Sequence, residues 1–246
     1  INEVKTDLAE LVRPVTKWAV ELSTPDQIPS VIRRAFNEAN THPKGPVYVG
    51  FTSNALEGIA EMNIVPSQRV YADTLPDPAG IEAATQLVAS SNRTILMVGD
   101  RVSDDDAIHS AVTLAELLGI PVYQSRGAEV SFPTTHPQFF GSLSLRVGEQ
   151  RSILERVDLV IAVGMDAFEE LFYWGDVILG PDTKLIHIDP VPGRAGRSEP
   201  TDVPILANCK QGLDALITSI KPQLTESTLQ ENRSRTAAMA SESEAS

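Results

Sequence analysis

Thr94–Val122 reads TILMVGDRVSDDDAIHSAVTLAELLGIPV, an order of residues that predicts a strand, a helix and a second strand. The four residues after Thr94 are apolar and suit a buried strand. Ser103 is interpreted as the N-cap of the helix, because three aspartates follow it and carboxylates in a first turn are favoured by the helix dipole. Gly119 and Pro121 are typical of a helix end and of the positions just beyond it. The stretch is therefore a strand–helix–strand unit.

The same alternation continues through residues 79–221. Further short apolar runs occur at Asp158–Val163, Lys184–Ile188 and Val203–Ala207, and helices are expected near 79–90, 149–156 and 209–220. Short apolar runs separated by helices are typical of a parallel sheet that is covered on both faces. The predicted fold class is therefore α/β, with a doubly wound, Rossmann-like parallel sheet that forms a central domain over 79–221.

Residues 1–54 form a partial α/β segment ahead of this domain. A helix is predicted to begin near Pro25 and to stop near Asn40, before a short strand at Val47–Phe51. One helix and one strand cannot bury a core of their own. This part is therefore interpreted as the end of a domain whose earlier residues lie upstream, an expectation that the absence of an initiator Met also favours.

Two segments are expected to lack a packed core. Residues 55–78 show no lasting period and accumulate prolines, which indicates a linker. Residues 222–246 are rich in Ser, Thr, Glu and Ala, and this composition predicts a linker or a disordered tail.

Composition limits the classes of partner. The 246 residues carry a formal charge of −13, and repulsion from phosphate groups argues against nucleic acid or an anionic membrane. No window approaches the apolar length of a membrane span. The single cysteine, Cys209, forbids an internal disulfide and argues against a zinc cluster, so a cytoplasmic location is expected.

The strand ends carry no strong nucleotide motif. Gly99 and Gly164 each follow a strand, but neither belongs to a G-x-G-x-x-G pattern, and a P-loop is absent. Asp189 closes a strand, where it could bond a ribose hydroxyl or cap the turn formed with the prolines that follow; the turn is the favoured interpretation. Arg194 and Arg197 could hold a phosphate or carboxylate, or could be solvated or paired.

The four histidines are scattered and show no metal-ligand spacing. His187 is expected to pack within a strand, and His109 to lie on the surface of a helix. His136 differs in its setting, FPTTHPQFFG (Phe132–Gly141), in which prolines flank it in a loop that leaves the end of a strand. Such loops often carry the chemistry of α/β proteins, and an imidazole can transfer protons near neutral pH. A hydrogen-bonded loop residue without catalytic function is the alternative.

Three parts of the chain resemble the thiamine diphosphate-dependent decarboxylases and carboligases, and most of all the benzoylformate decarboxylase-like members. The first, within 13–49, resembles the last portion of their pyrimidine-binding domain. The second joins AELLGIPV (Ala115–Val122) to the His136 run. The third joins DLVIAVG (Asp158–Gly164) to TKLIHID (Thr183–Asp189), and both of these resemble the central domain. The resemblance extends over residues 11–221.

This resemblance implies an enzyme that uses thiamine diphosphate and Mg²⁺ to decarboxylate a 2-oxo acid such as benzoylformate, or to ligate the resulting enamine to an aldehyde. The family's activating glutamate would precede Ile1, and its Gly-Asp-Gly motif is absent from this sequence. The cofactor is therefore expected to be bound mainly by residues outside this chain, which alone is expected to be inactive. His136 falls on the position of a proton-transfer histidine. A homo-oligomer, either a dimer or a homotetramer, is implied for the full-length protein.

Two interpretations from different classes stay open. Other members of the family hold FAD or another adenine nucleotide in the central domain; FAD is compatible with the resemblance but not favoured, because the glycine fingerprint is missing. Thr52–Ala55 also departs from the Pro-x-Asp-Val that usually follows this strand in the family. The alternative to a decarboxylase or carboligase is a non-catalytic module that binds FAD or ADP, or that is purely structural.

Overall fold

The computed structural model describes residues 7–65, 73–125, 130–143, 147–166, 178–197 and 199–244. The chain divides into two units, Ile1–Tyr71 and Ala72–Ser246. The division falls within 55–78, the segment interpreted as a linker. Within the described ranges, no helix combines the length and the apolar character needed to cross a membrane.

The first unit contains two parallel strands joined by a helix. Its elements are α1 (Leu8–Val12), β1 (Trp18–Leu22), α2 (Ile28–Asn40), β2 (Val47–Phe51) and α3 (Ser53–Glu57). The predicted helix and the strand after it are confirmed. Thr24 and Gln27 form a capping box ahead of α2, and the guanidinium of Arg34 lies 4.7 Å from the centre of the Trp18 ring. The capping box stabilises the start of the helix, and the cation–π contact fixes α2 against β1.

The second unit is built on a six-stranded parallel sheet. Its elements are α4 (Pro78–Ser90), β3 (Thr94–Val98), α5 (Asp100–Asp104), α6 (Ile108–Leu118), β4 (Val122–Gln124), β5 (Phe139–Ser142), α7 (Val147–Leu154), β6 (Leu159–Val163), β7 (Lys184–Asp189), β8 (Val203–Leu206), α8 (Cys209–Ile220) and α9 (Glu226–Glu244). The strand order is β5-β4-β3-β6-β7-β8, and every neighbouring pair is parallel. The order reverses between β3 and β6, which confirms the predicted doubly wound sheet.

The central strands alternate their side chains between two apolar layers. In β3, Leu96 and Val98 pack in the layer that includes α4, α6 and α8, whereas Ile95 and Met97 pack in the layer that includes Leu154 of α7. This alternation follows from the strand period of two residues. Because both faces are covered, both sets of positions are apolar, and the strand is a continuous apolar run in the sequence.

The turn before α6 differs from the prediction. Ser103 is not an N-cap; it lies inside α5, and its hydroxyl donates to the carbonyl of Asp100 at 2.8 Å. Asp105 and Asp106 form the turn between the two helices and do not belong to a first helical turn. The Asp105 carboxylate accepts the backbone N–H of Cys209 at 2.7 Å. The role of Asp105 is therefore a hydrogen bond to a residue distant in the sequence. The sequence pattern had instead predicted that its charge stabilises the first turn of a helix.

The C-terminal segment also differs from the prediction. The composition of 222–246 predicts a linker or a disordered tail, yet Glu226–Glu244 form a helix. Its attachment is polar, since Asn232 Nδ2 donates to the carbonyl of Leu117 at 2.8 Å and Arg235 Nη2 donates to the next carbonyl of α6 at 3.1 Å. The last carbonyls of a helix have no partner inside it, so they are available to a second helix. An apolar pattern could not reveal a helix that docks in this way.

Candidate functional site

The six strands of the second unit are parallel, so they all begin on one side of the sheet, here called the amino edge, and all end on the other, the carboxyl edge. The predicted site residues lie at both. Gly99 and Gly164 follow β3 and β6, and Asp189 ends β7, so all three lie at the carboxyl edge. The strand order reverses at this edge, between β3 and β6. Open α/β sheets bind ligands at such a point.

His136 lies at the opposite edge, where the strands begin. The carbonyl of Gln138 accepts the N–H of Val122, the first residue of β4, at 2.7 Å, and Phe139 begins β5 in register with Val122. Because β4 and β5 are parallel, the chain that leaves the end of β4 must cross back to the amino edge before β5 begins. His136 comes after this crossing and therefore lies at the amino edge. The prediction of a loop that leaves a strand end is confirmed. The argument that strand ends carry the chemistry does not apply to His136.

The imidazole of His136 is held by three groups. The ring meets that of Phe132 edge-on, with centroids 5.2 Å apart and planes at 82°. Nδ1 accepts the backbone N–H of Gln138 at 3.3 Å, and Nε2 lies 3.3 Å from Oε1 of Glu116. Phe132 is fully buried, whereas the Glu116 side chain is 57% exposed. The ring is therefore oriented by its own loop and by α6, and solvent reaches its partner at Nε2.

An ion-pair cluster lies at the carboxyl edge. Arg101, in α5 directly after β3, contacts one oxygen of Asp189 through Nε at 2.9 Å and through Nη2 at 2.8 Å. Nη2 also lies 3.0 Å from the Asp166 carboxylate, which pairs with Nη1 of Arg194 at 3.1 Å. The other oxygen of Asp189 accepts the N–H of Val191 at 2.8 Å, which confirms that Asp189 caps a turn. Arg194 is paired rather than solvated.

Burial and charge act in opposite directions in this cluster. Burial raises the pKa of Asp189, although the charge of Arg101 acts against that shift. Burial also disfavours the charged guanidinium of Arg101, but Asp189 and Asp166 outweigh it and raise the pKa of Arg101. His187 packs within β7, as predicted, and its Nε2 donates to the carbonyl of Met165 at 3.0 Å. Burial lowers the pKa of His187, which favours its neutral form.

The described residues at this edge do not fit FAD or another dinucleotide. A Cβ on Gly99 would lie 2.5 Å from the carbonyl oxygen of Gly164, so the two loops are already in contact. Gly164 has φ of +60°, and a Cβ there would lie 2.9 Å from Sγ of Cys209. Arg101 and Asp189, the groups that could bind phosphate and ribose, are paired with each other. Burial raises the pKa of the Cys209 thiol well above its ordinary value, so it supplies no thiolate.

The described residues do not fit Mg²⁺ or the diphosphate of thiamine diphosphate either. No group of three or more His, Cys, Asp or Glu side chains within the described ranges could hold a metal ion. The amino-acid sequence also lacks a Gly-Asp-Gly motif. The described residues therefore cannot hold the cofactor. What they contribute is the His136 loop at one edge of the sheet and the Arg101 ion-pair cluster at the other.

Sequence patterns did not reveal three of the charged partners, Arg101, Asp166 and Glu116. None of them belongs to a recognisable motif, and Arg101 lies 88 positions from Asp189 along the chain. The position of Arg101, three residues after the end of β3, was the available signal for it. No pattern near Glu116 in the sequence could have indicated its contact with His136. That contact depends on how the loop between β4 and β5 folds back to the amino edge.

Comparison with known proteins identifies the second unit. Residues 81–216 match the family model described as the thiamine pyrophosphate enzyme, central domain. The chain is 30% identical over 222 residues to an acetolactate synthase of Mycobacterium leprae, and the match covers 88% of this chain and 35% of that protein. It is 28% identical over 220 residues to a benzoylformate decarboxylase of Pseudomonas aeruginosa, with 88% and 41% covered.

Solved structures agree with this match. The thiamine diphosphate-dependent 4-hydroxybenzoylformate decarboxylase of Rhodococcus jostii RHA1 superposes with a TM-score of 0.74 at 28% identity, over 88% of this chain and 42% of that one. The chain thus spans well under half the length of the relatives that it matches. The residues of the family match are more than half of the chain and contain every strand of the six-stranded sheet. The chain belongs to the thiamine pyrophosphate enzyme family, and residues 81–216 are its central domain.

Proposed function

We propose that this chain is part of a thiamine diphosphate-dependent enzyme that decarboxylates a 2-oxo acid or joins the decarboxylated product to an aldehyde. The observation that carries the proposal is the match of residues 81–216 to the central domain of this family. One relative is named for the decarboxylation of benzoylformate, which is a 2-oxo acid, and another for the synthesis of acetolactate. A benzoylformate-like substrate is supported by the likeness to the 4-hydroxybenzoylformate decarboxylase.

The chain would contribute structure around a cofactor that other residues hold. In this proposal, residues 1–54 are the C-terminal part of a pyrimidine-binding domain, 55–78 a linker and 79–221 the central domain. Thiamine diphosphate, with Mg²⁺, supplies the electron sink, and the protein orients the substrate and handles protons. Because the cofactor motifs are missing from the sequence, the 246 residues alone are proposed to be inactive.

His136 is the residue of this chain that we propose for the active site of the full-length protein. Its position in the sequence matches that of a proton-transfer histidine in the family. Its ring is fixed by Phe132, Gln138 and Glu116, which meets the demand that a catalytic group be held in one orientation.

The substrate and the reaction are tested on the full-length protein with thiamine diphosphate and Mg²⁺. Benzoylformate and pyruvate are supplied separately, release of carbon dioxide is followed, and the organic product is identified by NMR. Benzaldehyde from benzoylformate would identify a decarboxylase. A 2-hydroxy ketone or a 2-hydroxy-2-methyl-3-oxo acid would identify a carboligase. No carbon dioxide from either acid would contradict the proposal.

The role of His136 is tested by His136→Ala in the same protein. A group that takes part in proton transfer contributes about 10²- to 10⁴-fold to the rate, so kcat is expected to fall by at least about 10²-fold. His109→Ala is the matched control, because His109 is an exposed histidine of the same domain. Wild-type turnover in His136→Ala would remove His136 from the proposal.

The full-length protein is also proposed to be a homo-oligomer, a dimer or a tetramer, as is usual in this family. Light scattering coupled to size exclusion measures the mass of the assembly directly. A monomer that retains full turnover would contradict this part of the proposal.

A further inference from the structure

Gln138 is a fully buried polar residue that lies two positions after His136. Its amide nitrogen donates to the carbonyls of Ala115 and Ile120, at 2.7 Å each. Ala115 lies in the last turn of α6 and Ile120 just beyond it, where the carbonyls of a helix end need partners from outside the helix. The side chain of Gln138 therefore fastens the His136 loop to the end of α6.

The main chain of Gln138 makes two further contacts. Its carbonyl accepts the N–H of Val122, the first residue of β4, at 2.7 Å, and its N–H lies 3.3 Å from Nδ1 of His136. The chain makes a tight turn here, because the N–H of Phe139 donates to the carbonyl of His136 at 2.9 Å. A shift of Gln138 would therefore carry the imidazole with it.

The oxygen of the same amide is not paired in this way. Oε1 of Gln138 is buried and has no hydrogen-bond partner among the described residues. The amide cannot turn over to correct this, because the two carbonyls at Nε2 only accept, and an oxygen in that place would repel both. The cost of the buried oxygen offsets much of what the two hydrogen bonds contribute. Stability alone therefore does not explain a glutamine at this position.

The length of the side chain and its two donors together are specific to glutamine. A primary amide presents two N–H groups on one neutral nitrogen, and asparagine, the other residue with such a group, is shorter by one methylene. The side chain of methionine fills a similar volume but donates no hydrogen bond. The distance between the end of α6 and the loop is thus set by the length of this one side chain.

We infer that Gln138 is a positioning residue for His136: its side chain holds the loop at a fixed distance from the end of α6, and its main chain holds the ring on that loop. The inference rests on the proposed function and adds to it a buried residue that acts through His136 and contacts neither substrate nor cofactor. It concerns the place of the imidazole and is independent of which ring nitrogen carries a proton.

The inference is tested with Gln138→Met and Gln138→Asn in the full-length protein, supplied with thiamine diphosphate, Mg²⁺ and the 2-oxo acid that supports turnover. The first variant removes both donors at similar volume, and the second keeps them on a shorter side chain. In both, kcat is expected to fall by about 10- to 10²-fold, since a displacement of about 1 Å can cost about 10²-fold in rate. KM is expected to change little, because Gln138 does not contact the substrate.

Gln150→Met is the matched control, because Gln150 is a buried glutamine of α7, on the other face of the sheet. Its kcat is expected to equal that of the wild type. The urea midpoint of Gln138→Met is expected to stay near that of the wild type, because the losses and the gain at the amide offset each other. If Gln138→Met does not fold, Gln138→Asn decides alone. Wild-type kcat in the folded variants would overturn the inference, and so would an equal fall of kcat in Gln150→Met.

The double variant His136→Ala, Gln138→Met separates positioning from a general structural role. A residue that acts only through His136 has nothing to position once the imidazole is gone, so kcat of the double variant is expected to equal that of His136→Ala. A further fall, as large as that in Gln138→Met alone, would contradict the inference and leave the proposed role of His136 standing. Wild-type turnover in His136→Ala would remove that role, and the inference with it.

Hydrogen exchange tests the anchor without any assay of turnover. The N–H groups of His136 and Phe139 are bonded within the loop, and they are expected to exchange faster in Gln138→Met than in the wild type. Exchange in β6 is expected to stay slow in both proteins. Unchanged exchange over residues 132–141 would mean that Gln138 does not hold the loop, and the inference would fail whether or not the protein turns over a 2-oxo acid.

Discussion

Gly119 and Asn232 are in direct backbone contact: a Cβ on Gly119 would lie 2.5 Å from the carbonyl oxygen of Asn232. Gly119 ends α6 with φ of +60°, and Asn232 lies within α9. Glycine is required here twice, once for the left-handed backbone and once for the close approach of the second helix. The contact makes α9 part of the packed structure of the second unit, although its composition is that of a tail.

Gly119→Ala is expected to destabilise the protein. The left-handed conformation alone costs a residue with a Cβ about 1–2 kcal/mol, and the contact with α9 adds to this. The free energy of unfolding, measured by urea titration, is expected to fall by at least this amount.

Gly148→Ala is the control for this substitution. Gly148 lies in α7, and a Cβ there meets no atom within 4 Å. Alanine is favoured over glycine in a helix, so this variant is expected to gain up to about 1 kcal/mol. Equal losses in the two variants would refute the specific role of Gly119.

Asn232→Ala is expected to detach α9. The substitution removes the hydrogen bond to the carbonyl of the half-buried Leu117, which costs about 0.5–1.5 kcal/mol. Hydrogen exchange over 226–244, followed by mass spectrometry, is expected to become faster, whereas exchange in β3 and β6 is expected to stay slow.

Ser234→Ala is the matched change on the same helix. Ser234 is exposed, and its hydroxyl donates to the carbonyl of Gln230 within the same helix. Slow exchange over 226–244 is expected to persist in this variant. If exchange were equally fast in both variants, the Asn232 contact would not be what holds α9.

Arg101→Met is expected to be among the most destabilising single changes in the second unit. It leaves the carboxylate of Asp189 buried without its cation, and breaking such a pair costs about 3–5 kcal/mol near neutral pH. Because the folded-state pKa of Asp189 is raised, stability is lost as pH rises through that pKa, and removal of Arg101 raises the pKa further. The loss, measured by urea unfolding, is therefore expected to be smaller at pH 5 than at pH 8.

The double variant Arg101→Met, Asp189→Asn separates charge from packing. Asparagine keeps an oxygen for the N–H of Val191 but carries no charge. Most of the lost stability is expected to return, and the dependence on pH to disappear. A double variant as unstable as Arg101→Met would mean that packing of the guanidinium, not the buried charge, is responsible.

His187→Gln is expected to flatten the acid limb of the stability curve. The folded-state pKa of His187 is lowered by burial, so its contribution to stability is present above the ordinary pKa near 6.5 and is lost as pH falls. Between pH 7 and pH 5, the free energy of unfolding of the wild type is expected to fall by up to about 1.4 kcal/mol per pH unit more than that of the variant. Glutamine can still donate to the carbonyl of Met165, and His109→Gln is expected to keep the wild-type slope. Identical slopes in His187→Gln and the wild type would contradict a buried neutral His187.

Predictions from the sequence succeeded where a local pattern carries the information. The apolar run of β3, the αL glycine that ends α6 and the helix between the strands of the first unit all follow from residues next to one another. The strand β5 was missed, because Phe139–Ser142 has neither an alternating pattern nor a long apolar run. It pairs with β4 because it lies beside that strand in space.

Local periodicity was sufficient for the alternation of strands and helices, and therefore for the parallel sheet with its two apolar layers, since hydrophobic burial depends on the repeat of apolar residues along each element. The order of the strands decided the rest. It places Arg101 beside Asp189, although the two lie 88 positions apart in the sequence. It also places His136 beside Glu116 at the amino edge, and the end of α6 beside Asn232. Hydrogen bonds and ion pairs between distant residues depend on which elements become neighbours, and no repeat along the chain encodes that.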